Sequence, residues 1–180
     1  MDAIECIKTR RSVRKYSDRE ISRETLTEII SAASMAPSWK NTQTARWTVI
    51  TDKELIRKIS EEAVLGFEKN GKTIGRCTCL AVQSCVKGLA GFEPDGTPTT
   101  SKNDGWEMYD AGIAAQTFCL AAHNFGVGSV IMGIIDDEKL AELANIPAEE
   151  RVIAAVAMGY PEFEPNMPPR KTVSEIARFI

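Results

Sequence analysis

Apolar residues recur along this chain with two periods, and the switches between them mark out its elements. Ile4 and Ile7 share one face of a short helix expected over Asp2 to Lys8. Ser22 can cap a second helix whose apolar face is Leu26, Ile29, Ile30 and Ala33, until Pro37 interrupts the pattern. Trp47 to Ile50 reads as a short buried strand, and Lys53 to Leu65 returns to helical spacing through Leu55, Ile56, Ile59 and Ala63. Cys77 to Val86, small and β-branched, reads as another strand. Asp104 to Phe125 is the longest helical stretch and is apolar nearly all round, as a central buried helix must be. Val127 to Ile135 and Arg151 to Met158 are expected strands, with a helix from Asp137 to Ala144 between them.

Two stretches break the rhythm. Gly88 to Asn103 is rich in Gly, Pro, Ser and Thr, the composition of an active-site or lid loop. In the last twenty residues, Pro161, Pro165, Pro168 and Pro169 enforce an extended path. Yet Val173, Ile176, Phe179 and Ile180 are apolar at near-helical spacing, and a solvated tail seldom ends so hydrophobically. Residues 161–180 therefore read as an arm that docks on a partner subunit, appended to a single domain that takes up the whole of 1–180.

The 180 residues suit one domain with a sizeable core. A formal net charge of −3 argues against a nucleic-acid or membrane partner. Two basic foci stand out against it, Arg10–Lys15 and Arg170–Lys171, and suggest a local anion. No apolar run approaches the roughly 18 residues of a membrane helix, and the N-terminus lacks the pattern of a signal peptide. Five cysteines, an odd number, suit a reducing compartment, so a cytoplasmic location is expected.

Three constellations can carry chemistry. Arg10, Arg11, Ser12 and Arg14 can surround a phosphate with planar donors and a hydroxyl, although a solvated basic turn has the same composition. Ala36-Pro37-Ser38-Trp39-Lys40-Asn41-Thr42-Gln43 supplies hydroxyl, amide and amine groups on a loop between helix and strand. Gly126 to Gly133 is a strand ending in Gly, which lets a flat ligand approach the backbone closely. It is not a dinucleotide fingerprint, because the spacing is not G-x-G-x-x-G and the glycines do not open a helix.

Together with Tyr109-Asp110-Ala111-Gly112-Ile113-Ala114-Ala115-Gln116 and the Pro-Pro-Arg-Lys tail, these motifs occur in an order that resembles the FMN-dependent nitroreductase family, over nearly the whole chain. The resemblance implies an α+β fold, a mostly antiparallel central sheet flanked by helices. It also implies an intertwined homodimer with exchange of C-terminal arms and FMN at the interface. By that likeness Arg10, Ser12 and Arg14 contact the phosphate and ribityl chain, with Arg11 contributing backbone. Pro37, Ser38, Asn41 and Gln43 contact the flavin from the other subunit. Ile131, Met132 and Gly133 lie beneath the ring, and Arg170 and Lys171 form a second phosphate clamp.

Two departures from the family pattern are visible. Thr44-Ala45-Arg46-Trp47 stands where the family commonly has Pro-Trp-x-Phe, and Met132 stands where many members place a Glu. The second is expected to remove a carboxylate from the ring edge.

The implied reaction is a ping-pong transfer from NADH or NADPH, through FMN, to a nitroaromatic, quinone or related electrophile. The flavin would supply the chemistry and no protein residue need be catalytic. Trp39, Trp106 and the 88–103 loop would line a cavity for flat substrates. The competing readings are a non-catalytic flavin-binding or redox-sensing protein, and a dehalogenating or flavin-fragmenting member of the same fold. Cys77, Cys79 and Cys85 are expected on one strand face as buried thiols, and no metal is expected. His123 is expected to be structural, and Asp110 to be a buried, paired carboxylate.

Overall fold

The computed structural model describes residues 1–180 and carries a four-stranded sheet ordered β1-β2-β4-β3, with every pairing antiparallel. The strands are β1 (Ala45–Ile50), β2 (Cys79–Val86), β3 (Gly128–Met132) and β4 (Glu150–Gly159). The helices are α1 (Ala3–Thr9), α2 (Arg23–Ala33), α3 (Lys53–Glu62), α4 (Glu68–Ile74), α5 (Gly105–Asn124), α6 (Asp137–Leu143) and α7 (Val173–Ile176). Ser22 caps α2 by accepting from Thr25 N–H, and Asp52 and Asp136 do the same for α3 and α6.

Strand alternation sends side chains to two separate cores. Leu80, Val82, Val130, Met132, Ala155 and Ala157 face a cluster with Ile56 and Ile59 of α3, Ile74 of α4 and Leu140 of α6. Cys79, Ala81, Val156 and Met158 face the other way, onto Leu26 and Ile29 of α2 and Phe118 and Ala122 of α5. Trp47 stacks on Phe118 at 4.1 Å between centroids, fixing β1 over the long helix. The α+β expectation, a mostly antiparallel sheet flanked by helices, holds.

Three local expectations need correction. Helix α4 is not announced by the apolar pattern, since only Thr73 and Ile74 are buried along it, too few for a helical period. Gly71 at its centre looks like a breaker but is a contact. A Cβ there would stand 2.7 Å from the Ser60 carbonyl oxygen, so α4 lies directly against α3. The strand after α5 stops at Met132, short of Ile135. Cys77, just before β2, packs in the α3/α4/α6 core, whereas Cys79 packs against α5, so the two do not share a face. All five thiols are free and buried; burial pushes the Cys79 thiol up to about 12 and those of Cys77 and Cys85 up to about 11.

Candidate functional site

The segment after α1 is laid against the edge of the sheet by two glycines. A Cβ on Gly128 would come within 2.7 Å of the Val13 side chain, and one on Gly159 within 2.8 Å of the Tyr16 ring. Without those methyl groups the segment lies flat. Val13 N–H donates to Ser129 O, and the buried Tyr16 hydroxyl sits 2.6 Å from Val13 O and 3.0 Å from Ala157 O. This seam positions Ser12, half-buried beside Ser129, and turns the Arg14 side chain outward.

Arg14 looks into a groove of about 390 Å³ whose other walls are Lys15, Phe67, Lys69, Asn70, Lys72, Thr73 and Arg76. Positions 69, 72, 73 and 76 form one helical stripe on α4 and its extension, and no carboxylate lines the groove. The only acid paired with these cations is Glu68, on Lys72 at 2.9 Å and exposed. The Asn70 amide donates to Ile134 O at 2.9 Å, tying the groove to the chain just past β3. Sequence reasoning missed these α4 residues. The recurrence of Lys69, Lys72 and Arg76 at i, i+3 and i+7 was the available signal.

At that end of β3, Met132 points inward and is 5% exposed, whereas Ile131 points outward and is 45% exposed. The Met132 side chain therefore belongs to the core, and it brings no carboxylate to this end of the strand. What faces outward is backbone, and Gly133 has open space where a side chain would begin. Arg11 turns away, donating to Lys8 O and Arg10 O and lining a different cavity with Thr9 and His123. Arg10 is half-buried on the α5 side of the segment; burial raises the Cys119 pKa with Arg10 opposing it, and burial lowers the His123 pKa with Arg10 adding to it.

The loop from Pro37 to Gln43 is elsewhere, at the start of β1 on the opposite edge of the sheet from β3. Three strand spacings, roughly 14–15 Å, separate those edges. Its backbone is strained: Lys40, Asn41 and Gln43 have φ of 44°, 57° and 49°. Left-handed conformations cost about 1–2 kcal/mol per residue, less for Asn. The loop is held by Ser38 Oγ, which accepts from Gln43 N–H at 2.9 Å, and by Asp110 of α5, which accepts from Trp39 N–H at 2.8 Å. Asp110 is 5% exposed, and burial raises its pKa, with the Trp39 N–H acting in the opposite direction.

The 88–103 segment packs on this loop. Lys40 pairs with Glu93 at 3.2 Å, Trp39 lies 4.7 Å from Trp106, and Trp106 Nε1–H donates to Thr100. Buried Glu107 anchors its start by accepting from Gly88 N–H at 2.6 Å. Pro37, Asn41 and Gln43 face outward.

Arg170 and Lys171 are brought to none of these places. The chain beyond Glu162 is almost wholly exposed, with Val173, Ile176, Phe179 and Ile180 all outward and Phe179 at 89%. Two features of the body match such an arm: the unpaired edge of β1, and beside it a groove of about 810 Å³ lined in part by Ile21, Leu26, Ile30, Trp47 and Val49. No helix is long and apolar enough to cross a membrane.

A family model described as "Nitroreductase family" matches residues 7–160. An Archaeoglobus fulgidus protein with the provisional name NADH dehydrogenase/NAD(P)H nitroreductase is 35% identical over 169 residues, 89% of this chain and 87% of that protein. A Bacillus subtilis FMN reductase [NAD(P)H] is 28% identical over 179 residues, 94% of this chain and 70% of that protein. Among solved structures, an FMN-dependent nitroreductase from Clostridium difficile matches with a TM-score of 0.78 and 28% identity, covering 98% of each chain.

Proposed function

The chain belongs to the nitroreductase family, and from that premise we propose that it is an FMN-dependent NAD(P)H oxidoreductase acting on flat electrophiles such as nitroaromatics or quinones. The observation that carries this reading is the acid-free cationic groove of Arg14, Lys15, Lys69, Lys72 and Arg76 beside the glycine-ended β3. The donor set fits FMN. Guanidinium and ammonium groups suit a dianionic phosphate, the Asn70 amide and Ser12 hydroxyl suit a ribityl chain, and the bare backbone at 132–133 suits a flat ring. Bound there, FMN would accept a hydride from a nicotinamide and pass electrons to an acceptor.

In this reading the body of one chain supplies Arg10, Ser12 and Arg14, the α4 cations and the backbone of Ile131 to Gly133. A second copy supplies Pro37, Ser38, Asn41 and Gln43, and the arm supplies Arg170 and Lys171. The distance across the sheet supports this division, since one chain holds its two contact regions on opposite edges. The arm, residues 161–180 of a single domain, docks along the β1 edge of the partner in a homodimer. Trp39 and Trp106 then bound the substrate cavity, with the 88–103 segment fixed behind them.

The test is a spectrum of the purified protein, separation of the chromophore released on denaturation, and anaerobic titration with NADH and NADPH. Released FMN that is bleached by either donor is the expected result. A colourless protein that ignores added FMN overturns the reading.

A further inference from the structure

Resting on that reading, we infer that Asp110 is a positioning residue for flavin binding, acting through the strained loop of the partner-facing half-site. Three observations converge on it. Three of the four residues from Lys40 to Gln43 have left-handed φ, and none is glycine. Such a loop persists only where its surroundings over-determine it. Two hydrogen bonds reach its backbone from outside: the neighbouring Arg46 guanidinium of β1 donates to Gln43 O at 2.8 Å, and Trp39 N–H donates to Asp110 Oδ2 at 2.8 Å, the one tie to α5.

That acceptor is itself fixed. Asp110 lies on the longest helix, one residue before Ala111, whose carbonyl accepts from the buried Gln83 amide at 2.7 Å. Helix α5, strand β2 and the loop are thereby joined in one rigid line. The carboxylate also faces a cavity of about 280 Å³ lined by Pro37, Ser38, Gln43, Thr44 and Arg46. The Thr44 hydroxyl there is buried and without a partner. The loop's inner polar groups are therefore under-satisfied, so its shape depends heavily on the Trp39 bond.

The loop's outward residues, Pro37, Asn41 and Gln43, are those read as touching the flavin of the other subunit. In this inference Asp110 acts through the loop and not by its own contact with flavin or substrate. It holds the backbone from which those groups project, so their geometry is set before ligand arrives and binding need not select it from a mobile ensemble.

The experiment is titration of the apo-dimer with FMN, read by flavin fluorescence, with amide exchange of residues 38–44 in the same apoprotein. Asp110→Ala is expected to weaken FMN binding about ten- to a hundredfold and to speed exchange across the loop. Asp110→Asn keeps an acceptor for Trp39 N–H and is expected within about threefold of the parent. Lys40→Gly relieves one left-handed residue outside the binding set, and in the Asp110→Ala background it is expected to restore part of the lost affinity.

Parent protein that binds no FMN overturns the functional reading itself. Parent protein that binds FMN while Asp110→Ala binds equally tightly overturns this inference alone. It is also overturned if Asp110→Asn is as weak as Asp110→Ala, which makes the charge the agent, or if Lys40→Gly restores nothing, which makes the loss one of core packing. Where Asp110→Ala does not fold, the parent apoprotein decides: a protected Trp39 amide supports the inference, and one exchanging as fast as the exposed loop amides overturns it.

Discussion

The two halves of the proposed site are built in opposite ways. The half around Arg14 and β3 is finished within one chain: Val13 and Tyr16 lie on the bare backbones of Gly128 and Gly159, and the cations of α4 close the groove. The half around Pro37 to Gln43 is a strained loop aimed away from its own body, and the arm with Arg170 and Lys171 stands exposed. Close packing holds charged groups on one side of the proposed ligand, and in the proposed dimer the second chain brings groups to the other. The contrast makes the first half a matter of stability and the second a matter of association.

The largest expected effect breaks the second half. Ending the chain after Pro161 removes Val173, Ile176, Phe179 and Ile180 together with Arg170 and Lys171. Burying four such side chains on a partner is worth roughly 1.5–3 kcal/mol each, against a typical net stability of about 5–15 kcal/mol. The truncated protein should become monomeric in sedimentation and lose its flavin. If it stays dimeric and yellow, the arm does not dock as proposed.

The next effect breaks the first half. Gly159→Ala places a methyl group 2.8 Å from the Tyr16 ring, with backbone on one side and core on the other. Overpacking of this kind costs about 1–3 kcal/mol. The melting temperature of the apoprotein should fall, and excess FMN should recover part of it by mass action. An unchanged melting temperature would mean that the segment is free to move off the sheet.

This contrast also explains what the sequence could disclose. The apolar periods of α2, α3 and α5 and the runs of β2 and β4 are legible because each buries a face of its own. The motif residues Arg10, Ser12, Arg14 and the Pro37–Gln43 loop were legible as a pattern in order along the chain. Helix α4 was not, because it buries only Thr73 and Ile74, while Lys69 and Lys72 on it and Arg76 just after it face the groove with Arg14. The orientation of Met132 was not, because a family motif names a position and only strand register says which way its side chain points. The clamp from Asp110 to Trp39 joins residues 71 apart in the chain, and no local pattern announces it.

The groove itself supplies a sharper test. Charge-assisted hydrogen bonds contribute about 1.5–3 kcal/mol each, so Arg14→Ala or Arg76→Ala should weaken FMN binding roughly ten- to over a hundredfold. Riboflavin has no phosphate; it should bind the parent far more weakly and lose little more in either variant. That pair of comparisons is a thermodynamic cycle between side chain and phosphate. Equal losses for the two flavins would move these cations off the phosphate.

The smallest effect is expected at His123, which lies near the finished half but takes no part in it. Its Nε2 sits 2.9 Å from Thr9 Oγ1, in a cavity shared with Arg11 and Glu164 and separate from the α4 groove. Burial lowers its pKa from the ordinary 6.5, and Arg10 and Arg11 push the same way. Both effects favour the neutral ring. His123→Gln keeps a polar partner for Thr9, so flavin reduction rates at pH 7 should stay within a few-fold. The sign of its effect on stability follows from linkage. A histidine depressed in the folded state binds its proton more readily when unfolded, so the parent loses stability as pH falls below 6.5 and on through the folded value. The variant lacks that loss. The difference in melting temperature between parent and His123→Gln should therefore move in the variant's favour between pH 7 and pH 5. A difference that moves the other way would mean that the imidazolium is stabilised in the fold, with Glu164 outweighing the two arginines.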